Sequence, residues 1–362
     1  MKIGIITFQQ AINYGAVLQV YSLQRLLSDL NLNTKVINYI SPKLLSDYRL
    51  VKFGKGFKAF VHSVISAIVF KKKKSKFDRF AKKYLNLTNS TCHKNELANL
   101  ASKLDFVITG SDQVWNYEIT NHDTTYLLDF VEPQKRLSYA ASFGVSTIPK
   151  ELQQRYSELL KGFKYITVRE RQGADLVRKL CNEEVPVVLD PTLLLKKSDW
   201  EEIVSNLPVP SKKIVVYTLS RSDLLMNIAD ALSKETGLEI AVLNPRLRNI
   251  FSKTSAYTSG PDEFINLFMN AEYVLTNSFH GTAFAINFNK KFLVELPDGE
   301  RGKLNSRIEN ILELSNLKDR YVNTMDLNKM YADIDWDNVN YILDIERNKS
   351  FSHLKLMIGK NE

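Results

Sequence analysis

The sequence predicts an α/β fold built from two parallel sheets, on the basis of three observations. Short apolar runs typical of buried strands alternate with segments whose apolar residues recur at helical spacing. The alternation is interrupted at SNLPVPSKK (205–213), where two prolines and few apolar residues are typical of a linker. The chain has 362 residues, which is enough for about two domains of ordinary size.

The first half of the chain begins with the order strand, helix, strand, which starts a parallel sheet. KIGIITF (2–8) has the pattern of a buried strand, and apolar residues at 17, 18, 20, 23, 26 and 27 predict the helix after it. The next strand is predicted at TKVINYI (34–40). The first half continues with predicted strands at 104–116, 135–144 and 185–195, a predicted helix at 149–163, and a strand, charged turn and helix within 164–180.

The second half repeats the alternation, although no internal repeat of solenoid length is present. Its predicted strands are 214–219, 238–244, 272–278 and 291–296, and its predicted helices are 222–236, 261–271 and 281–288. One long helix from Asp335 to Ile358 follows, with Asp335 or Asp337 as its N-cap. The predicted divisions are therefore a first domain at 1–205, a second at 206–334 and the last helix at 335–362.

A basic segment after the second strand is predicted to form helices inserted into the first domain, at about 49–86. Residues 51–83 hold eleven Lys or Arg and one acid, in a chain of net charge +9. KKKKSK (71–76) directly follows an apolar run, which is typical of a solvated helix face, an anionic membrane surface or a phosphate-binding patch. The solvated face is favoured first and the membrane second. Nucleic acid is not an expected partner, because the segment matches no recognition module.

Composition excludes several classes of protein. Cys92 and Cys181 are too few for a disulfide framework and lack zinc spacing, so no metal or other cofactor is expected. No apolar run reaches the roughly 18 residues of a membrane span. MKIGIITF has too short an apolar run for a secretory leader, so a cytoplasmic protein is expected. No serine-elbow motif occurs, which argues against triad hydrolysis.

Four short polar segments lie where predicted strands end, and this edge of an open α/β sheet is where ligands bind. In QQAINYGAV (9–17), Asn13, Tyr14 and Gly15 precede a helix whose N–H groups are suited to hold an anion, or they form an ordinary strand-to-helix turn. TGSDQVWN (109–116) carries Ser111 and Asp112. Asp112 is either a base for a hydroxyl group or the N-cap of the next helical turn.

The third segment, VRERQGA (168–174), carries an arginine directly after a strand. Arg169 is suited to bind a carboxylate or a phosphate through two parallel hydrogen bonds. The alternative is a surface ion pair with Glu170 or Glu183. The sequence around it favours neither interpretation.

The fourth segment is TNSFHGTAF (276–284), in which His280 stands between an apolar strand and the helix opened by Gly281 and Thr282. A histidine exchanges a proton near neutral pH, and the start of the helix favours a bound anion. The alternative is a core histidine whose ring is satisfied by backbone groups. A histidine, an arginine and a carboxylate at one predicted edge form a set suited to acid–base chemistry and anion binding.

Six segments lie in order between residue 4 and about residue 292: GIITFQQAINYGAVLQVYSLQ, GSDQVWN, SYAASFG, VRERQGA, DPTLLL and TNSFHGTAFAINFNKKF. Together, and in this order, they resemble the polysaccharide pyruvyl transferase family. The resemblance implies an enzyme that transfers pyruvate from phosphoenolpyruvate onto two hydroxyls of a sugar in a cell-surface glycan, forming a ketal. It also implies a GT-B-like fold, in which two Rossmann-like domains face a cleft and a long C-terminal helix returns to the first domain.

The resemblance carries the family histidine to His280 and its strand-end arginine to Arg169. Many members have Arg-Leu-His, whereas Ser278 and Phe279 precede the histidine here. The missing cation therefore has to come from another position, for which the candidates are Arg307, Lys290 and Arg246.

The four segments and the resemblance together predict a mechanism and a set of site residues. His280 is expected to be the acid that protonates the donor methylene, and Asp112 the base that takes the hydroxyl proton. The donor is expected to contact Arg169, Asn277, Ser278, Gly281, Thr282 and Arg307, and the acceptor Asn13, Tyr14, Gly15 and Ser111. A lipid-linked acceptor would give the basic stretch a use at the inner membrane face. The rival hypotheses are a glycosyltransferase with a nucleotide-sugar donor, a phosphoenolpyruvate enzyme with a non-glycan acceptor and a non-catalytic glycan-binding protein.

Overall fold

The structure is a computed structural model that describes residues 1–42, 57–91, 93–244, 250–296 and 305–360, with backbone alone for 57–66. The chain divides into two compact units. Unit 1 consists of Met1–Arg49, Ala81–Leu194 and Leu343–Glu362. Unit 2 consists of Leu50–Phe80 and Leu195–Ile342.

Strands and helices alternate along most of the described chain. In chain order the strands are β1 (Lys2–Ile6), β2 (Asn33–Val36), β3 (Phe106–Thr109), β4 (Arg136–Ala141), β5 (Tyr165–Val168), β6 (Lys213–Tyr217), β7 (Glu239–Val242), β8 (Tyr273–Thr276) and β9 (Lys291–Val294). The α-helices are α1 (Tyr14–Asp29), α2 (Phe57–Tyr84), α3 (Lys94–Ser102), α4 (Tyr117–Thr120), α5 (Lys150–Leu160), α6 (Arg171–Cys181), α7 (Pro191–Leu194), α8 (Lys197–Val204), α9 (Asp223–Thr236), α10 (Pro261–Met269), α11 (Phe279–Asn287), α12 (Ser306–Leu314), α13 (Asn328–Tyr331) and α14 (Trp336–Met357).

Unit 1 contains a parallel sheet with the strand order β2-β1-β3-β4-β5. Ile3, Ile5 and Ile6 of β1 are fully buried, as expected for a strand covered on both faces. Trp115, just after β3, is also fully buried, and its indole N–H donates to the carbonyl oxygen of Tyr126 at 3.1 Å. Because the strands are parallel, all their carboxyl ends lie at one edge of the sheet.

Unit 2 contains a second parallel sheet, with the strand order β7-β6-β8-β9. Every residue of α11 is buried, because this helix packs within a cluster of aromatic rings. The ring of Phe284 lies 5.6 Å from that of Phe264 and 5.1 Å from that of Trp200. The prediction of an α/β fold with two parallel sheets is confirmed.

The predicted strand at 185–195 is wrong. Val187 forms a single bridge with Val168 at the end of β5, and residues Pro191–Leu194 are helical instead. Pro186 lacks an N–H group and so cannot donate to a ladder, although its carbonyl oxygen accepts from the Val168 N–H at 3.0 Å. Proline therefore limits this apolar run to one bridged residue.

The basic helix α2 lies mostly in unit 2, whereas the sequence prediction assigned it to the first domain. The ammonium of Lys76 contacts the carboxylate of Glu263 at 2.6 Å, and that of Lys73 donates to Asn244 Oδ1 at 3.3 Å. Chain order suggested the first domain, but these contacts join residues far apart in sequence. The division between the units also comes after Leu194, earlier than the predicted boundary at 205.

One face of α2 is buried and the other carries exposed lysines. Val69, Lys73, Phe77 and Phe80 are buried at a helical spacing, and Lys73 is only 4% exposed. Exposed basic residues on the same helix are Lys71, Lys72, Lys74, Arg79, Lys82 and Lys83. The run of four lysines is therefore divided between a solvated face and the interior of unit 2. Among the described residues, no helix combines the length and apolarity that crossing a bilayer requires.

Burial of Lys73 predicts a pH-dependent stability. Its pKa is lowered from the ordinary 10.5 to about 8, because burial disfavours the charged ammonium. Between these values the unfolded chain binds more protons than the folded one, so stability rises with pH across this window. We expect a rise of up to roughly 3 kcal/mol in the unfolding free energy, since one pKa unit is about 1.36 kcal/mol.

The measurement is urea unfolding of the wild type and of Lys73→Met at a series of pH values. The variant is expected to lack the rise, while Lys72→Met, at an exposed neighbouring position, retains it. An equal rise in the wild type and in Lys73→Met would contradict this assignment.

The last helix, α14, ends in unit 1. The Nε of Arg347 donates to the carbonyl oxygen of Leu193 at 2.7 Å, and the Ser350 hydroxyl accepts from the Leu189 N–H at 2.9 Å. These bonds fasten the helix to the segment that follows the bridge at Val187.

Candidate functional site

The turn after β3 holds two of the predicted residues, Ser111 and Asp112. Gly110 has φ 127°, and an added Cβ would lie 2.1 Å from the carbonyl oxygen of Tyr139, so only glycine fits there. Asp112 has φ 77°, and its carbonyl oxygen accepts from the Ser142 N–H at 3.0 Å. The turn is thus fastened to the end of β4. The carboxylate of Asp112 is half-buried and accepts from the Gln113 N–H at 2.8 Å.

Asp112 is not the N-cap of the next α-helix, because Asn116 occupies that position in front of α4. The side-chain oxygen of Asn116 accepts from the N–H groups of Glu118 and Ile119. One of the two alternatives for Asp112 is therefore wrong. The other, a base for a hydroxyl group, stays a prediction.

Arg169 lies at the end of β5 in a buried ion pair with Asp190. Its side chain is 1% exposed, and Nη1 lies 2.8 Å from Asp190 Oδ2 and 3.3 Å from the Ser111 hydroxyl. The Ser111 hydroxyl in turn donates to the same Asp190 oxygen at 2.7 Å. Arg169 Nε also lies 3.8 Å from Glu170 Oε2. The surface ion pair considered from the sequence is therefore replaced by a buried one with a different main partner.

Two opposing effects act on the charge of Arg169. Burial alone would lower its pKa, but the carboxylates of Asp190, Glu170 and Asp112 raise the pKa above its ordinary value. Arg169 is therefore a fixed cation whose charge the chain itself largely neutralises. The carboxylate of Asp190 is held in turn by the N–H and the hydroxyl of Thr192, at 3.0 and 2.7 Å.

The same network reaches the first strand through Gln19 on α1. Gln19 Oε1 accepts from the Ser111 N–H at 3.0 Å, and its Nε2 donates to the Thr7 hydroxyl at 2.9 Å. The Thr7 hydroxyl donates to the carbonyl oxygen of Ser111 at 3.0 Å. Both the backbone and the hydroxyl of Ser111 are thus held by hydrogen bonds. Asp112, the next residue, is therefore attached to a fixed backbone position.

The start of α1 carries the predicted acceptor residues Asn13, Tyr14 and Gly15. The Asn13 side chain is the N-cap and accepts from the Ala16 N–H at 3.2 Å. Tyr14 is 1% exposed, and Gly15 is buried. The cap corresponds to the ordinary strand-to-helix turn that the sequence allowed, and contact with an acceptor stays a prediction.

In unit 2, the loop between β8 and α11 holds most of the predicted donor residues. Ser278 is the N-cap of α11, and its hydroxyl oxygen accepts from the Gly281 N–H at 3.4 Å. The Thr282 hydroxyl donates to the carbonyl oxygen of Ser278 at 3.0 Å. A Cβ on Gly281 would lie 2.2 Å from the Thr276 hydroxyl oxygen, so the glycine lets α11 pack closely on β8. These polar groups hold the helix start in shape.

Asn277 fastens this loop to the loop after β6. Its Oδ1 accepts from the Leu219 N–H at 2.8 Å, and its Nδ2 donates to the carbonyl oxygen and the hydroxyl of Ser220, both at 3.0 Å. Two neighbouring loops at the carboxyl edge of the second sheet are therefore held together by one amide.

His280 lies in the first turn of α11, with 7% of its surface exposed. Its ring meets that of Phe279 edge to face, with centroids 5.1 Å apart. The imidazole is thus held beside the helix start, where the predicted acid should be. The role as an acid and the alternative of a core histidine are both compatible with this burial.

The three cations proposed to replace the missing family arginine are placed differently. Arg307 is a buried residue of α12. Lys290 follows the far end of α11, whose nine residues extend about 13 Å, so it lies away from His280. Burial lowers the pKa of Lys290. Arg246 lies outside the described residues.

A polar cavity of about 540 Å³ lies at the carboxyl ends of β6 and β7, within unit 2. It is lined by Thr218, Leu219, Ser220, Arg221, Ser222, Asp223, Met226, Asp230, Val242, Asn244, Thr254 and Tyr257. Sequence reasoning missed this β6–β7 cavity. The signal was available, because TLSRS (218–222) directly follows the β6 strand and is as polar as the four segments that were selected.

The structure therefore groups the predicted residues into two sets, one in each unit. Ser111, Asp112 and Arg169 lie together at the edge of the first sheet. The other set, at the edge of the second sheet, comprises Asn277, Ser278, His280, Gly281 and Thr282. Among the residues the structure describes, no group of three or more His, Cys, Asp or Glu side chains is arranged to hold a metal ion.

Comparisons with known proteins show the family and the fold of the chain. The family model for polysaccharide pyruvyl transferase matches residues 13–296, which include both sets of residues. No curated protein matches the chain. Among solved structures, UDP-GlcNAc 2-epimerase from Neisseria meningitidis bound to UDP-GlcNAc is 11% identical, with 100% of each chain covered and a TM-score of 0.50. The S. aureus MnaA–UDP co-structure is 15% identical, with 99% of this chain and 97% of that chain covered and a TM-score of 0.50. At such identities the likeness concerns the fold alone, and it confirms the GT-B-like class.

Proposed function

Because the chain belongs to the polysaccharide pyruvyl transferase family and is therefore a transferase, we propose that it forms a pyruvate ketal on a sugar of a cell-surface glycan, with phosphoenolpyruvate as the donor. The observation that carries this proposal is His280, held in the first turn of α11 at the carboxyl edge of the second sheet. A proton-donating side chain beside a helix start suits a donor substrate that carries negative charge and must be protonated on carbon.

The proposed reaction proceeds in two additions. His280 gives a proton to the donor methylene, which becomes a methyl group and leaves the central carbon cationic. One sugar hydroxyl adds to that carbon and loses its proton to Asp112. A second hydroxyl then adds, and the bond from the carbon to the phosphate oxygen breaks. The proton of the second hydroxyl restores His280 as the acid, and the proton taken by Asp112 leaves with inorganic phosphate.

The ion pair of Arg169 with Asp190 supports a positioning role for this residue. Direct binding of a donor anion would require the guanidinium to share its N–H groups with a carboxylate already 2.8 Å away. Through the Ser111 hydroxyl, the same guanidinium is bonded to the turn that carries Asp112. We infer that Arg169 acts by holding Asp112 in place, and its contact with the donor stays the second possibility for the test below.

Arg307 is the proposed cation for the donor anion in place of the family arginine. It is chosen because Lys290 lies beyond the far end of α11 and Arg246 lies outside the described residues. Asn277, Ser278, Gly281 and Thr282 shape the helix start through their internal hydrogen bonds. The proposed contact between this helix start and the donor is made by backbone groups.

We predict that phosphoenolpyruvate raises the melting temperature of the purified protein, because a ligand that binds only the folded state stabilises it. Arg307→Met is expected to abolish the shift, and Arg169→Lys to retain it. The measurement is a thermal melt with phosphoenolpyruvate or with a panel of nucleotide sugars. Glycan substrates with phosphoenolpyruvate are then examined by NMR for a ketal methyl signal.

The controls separate the rival functions. Stabilisation by a nucleotide sugar, with none by phosphoenolpyruvate, would assign the protein to glycosyl transfer. Arg169→Lys could instead abolish the melting-temperature shift while the variant keeps the stability of the wild type. That result would make Arg169 a ligand of the donor. Phosphoenolpyruvate binding without a ketal from any glycan would favour the non-glycan acceptor, and glycan binding that tolerates loss of His280 would favour a binding protein.

We further propose that the exposed lysines of α2 hold the enzyme on an anionic membrane surface, where a lipid-linked acceptor would lie. Lys71, Lys72 and Lys74 are exposed, and each basic residue near such a surface contributes about 1 kcal/mol. We expect flotation with anionic vesicles and not with neutral ones. A triple change of these lysines to glutamine is expected to abolish it.

The flotation variant leaves Lys73 unchanged, because that side chain is buried and its loss would act through folding. Lys212→Gln is a matched control, since it removes an exposed lysine elsewhere in unit 2. Equal recovery with neutral and anionic vesicles would overturn the membrane proposal.

A further inference from the structure

We propose that the β6–β7 cavity binds a neutral, hydroxyl-rich ligand, namely one sugar unit of the acceptor. This inference rests on the proposed function, because it takes the acceptor to be a glycan. The volume of about 540 Å³ lies within the 300–1,000 Å³ usual for small-molecule sites. The cavity also lies at the edge of the sheet where ligands of such folds bind.

The charges around the cavity disfavour an anion. Among the residues that the structure describes, three charged side chains line it, of which Arg221 and Asp223 pair with each other at 3.0 Å. Asp230 adds a negative charge, and Lys73, behind Asn244, adds a positive one. The charges of the described surroundings are therefore balanced, and phosphoenolpyruvate or a diphosphate would meet the carboxylate of Asp230. A neutral ligand meets no such repulsion.

The hydrogen-bonding groups suit hydroxyls. The Ser222 oxygen accepts from the Leu225 N–H at 2.9 Å, and the Ser220 oxygen accepts from Asn277 Nδ2 at 3.0 Å. Each hydroxyl therefore keeps its hydrogen to donate to a ligand. The Asp230 carboxylate makes no hydrogen bond or ion pair within the described part of the chain, and its two oxygens accept from sugar hydroxyls. The lining thus offers both hydrogen-bond donors and acceptors to a sugar.

The cavity also has apolar surface, which the C–H faces of a sugar ring require. Leu219 is 56% exposed although it is a large apolar residue, and Met226 and Val242 lie in the same lining. Tyr257 adds an aromatic ring, with the Lys73 ammonium 4.7 Å from its centroid. A ligand with both hydroxyls and apolar C–H faces uses all of this surface, whereas a small inorganic anion uses little of it.

Asn244, a lining residue of the cavity, is held by two hydrogen bonds. Its Oδ1 accepts from the Lys73 ammonium at 3.3 Å, and its Nδ2 donates to the carbonyl oxygen of Thr218 at 3.2 Å. The amide is therefore oriented before a ligand arrives, and less conformational freedom is lost on binding. The basic helix α2 thus contributes one lysine to the wall behind the proposed sugar site.

The test is saturation-transfer NMR on the full chain, without phosphoenolpyruvate, using methyl glycosides of glucose, galactose, mannose and N-acetylglucosamine. We expect at least one glycoside to bind at millimolar concentration. Asp230→Asn should weaken that binding about tenfold, the usual effect of losing a hydrogen bond to a charged group. Asp230 is exposed, so this change should leave the fold intact.

Two further variants separate the cavity from the rest of unit 2. Thr254→Val removes one lining hydroxyl and is expected to weaken binding, whereas Glu201→Gln removes an exposed carboxylate outside the lining and should not. No binding of any glycoside, wild-type affinity in Asp230→Asn, or displacement of the glycoside by inorganic phosphate would each overturn the proposal. Because phosphoenolpyruvate is absent, failure here is distinct from failure of the proposed donor chemistry.

Discussion

Replacing His280 with alanine is expected to lower turnover about a hundred to ten thousand fold, the usual cost of losing a positioned acid. The imidazole lies in the first turn of α11, and the proposed reaction cannot begin until the donor methylene takes a proton. Phosphate released from phosphoenolpyruvate with an accepted glycan gives the turnover. The variant should still bind the donor, as measured by thermal stabilisation, because the change removes the proton-donating group and leaves the binding groups in place.

His353 supplies the matched control for this experiment. It is a partly buried histidine of unit 1, whose Nδ1 lies 2.8 Å from the Tyr165 hydroxyl. His353→Ala removes an imidazole outside both sets of site residues, so turnover should remain close to that of the wild type. Near-full turnover in His280→Ala, with a melting temperature like that of the wild type, would contradict the acid assignment and favour a core histidine.

Replacing Arg169 with methionine is expected to cost about 3–5 kcal/mol of unfolding free energy, because it leaves buried carboxylates without their cation. Asp190 would lose its contact at 2.8 Å, and Glu170 its neighbour at 3.8 Å. The measurement is the urea dependence of unit 1 unfolding, followed by a probe such as Trp115 fluorescence. Arg169→Lys keeps the charge without the planar fork and should cost less.

An exposed ion pair in the same unit gives the scale for comparison. Arg155 lies 3.8 Å from Glu158 and is 51% exposed, so Arg155→Met should cost no more than about 1 kcal/mol. Equal losses for Arg155→Met and Arg169→Met would refute the structural role of the buried pair. The variants then decide how far Arg169 acts on catalysis through stability alone.

The strand edges of both units were predictable, because each depends on a short local pattern. An apolar run followed by a polar turn marked the ends of β3, β5 and β8 correctly. The same rule applied to residues 214–219 would have pointed to the β6–β7 cavity. The failure at 185–195 has a local cause as well, since Pro186 cannot extend a ladder.

Contacts between distant residues were not predictable from one sequence. Glu170 and Glu183 were the partners considered for Arg169, because they are near in the chain, whereas the strongest partner is Asp190. In the same way, Lys76 meets Glu263, which places most of the basic helix in unit 2. Neither pairing leaves a periodic signal. Each depends on which loops the packed sheets bring together.

The division of the lysine run by α2 has a consequence for chemical labelling. Amine-reactive reagents modify deprotonated, accessible lysines, and Lys73 is 4% exposed whereas Lys71, Lys72 and Lys74 face solvent. Peptide mapping by mass spectrometry would therefore find Lys73 protected while its neighbours react. The rate at which Lys73 is labelled therefore reports the local opening of unit 2. The exposed lysines beside it serve as internal references.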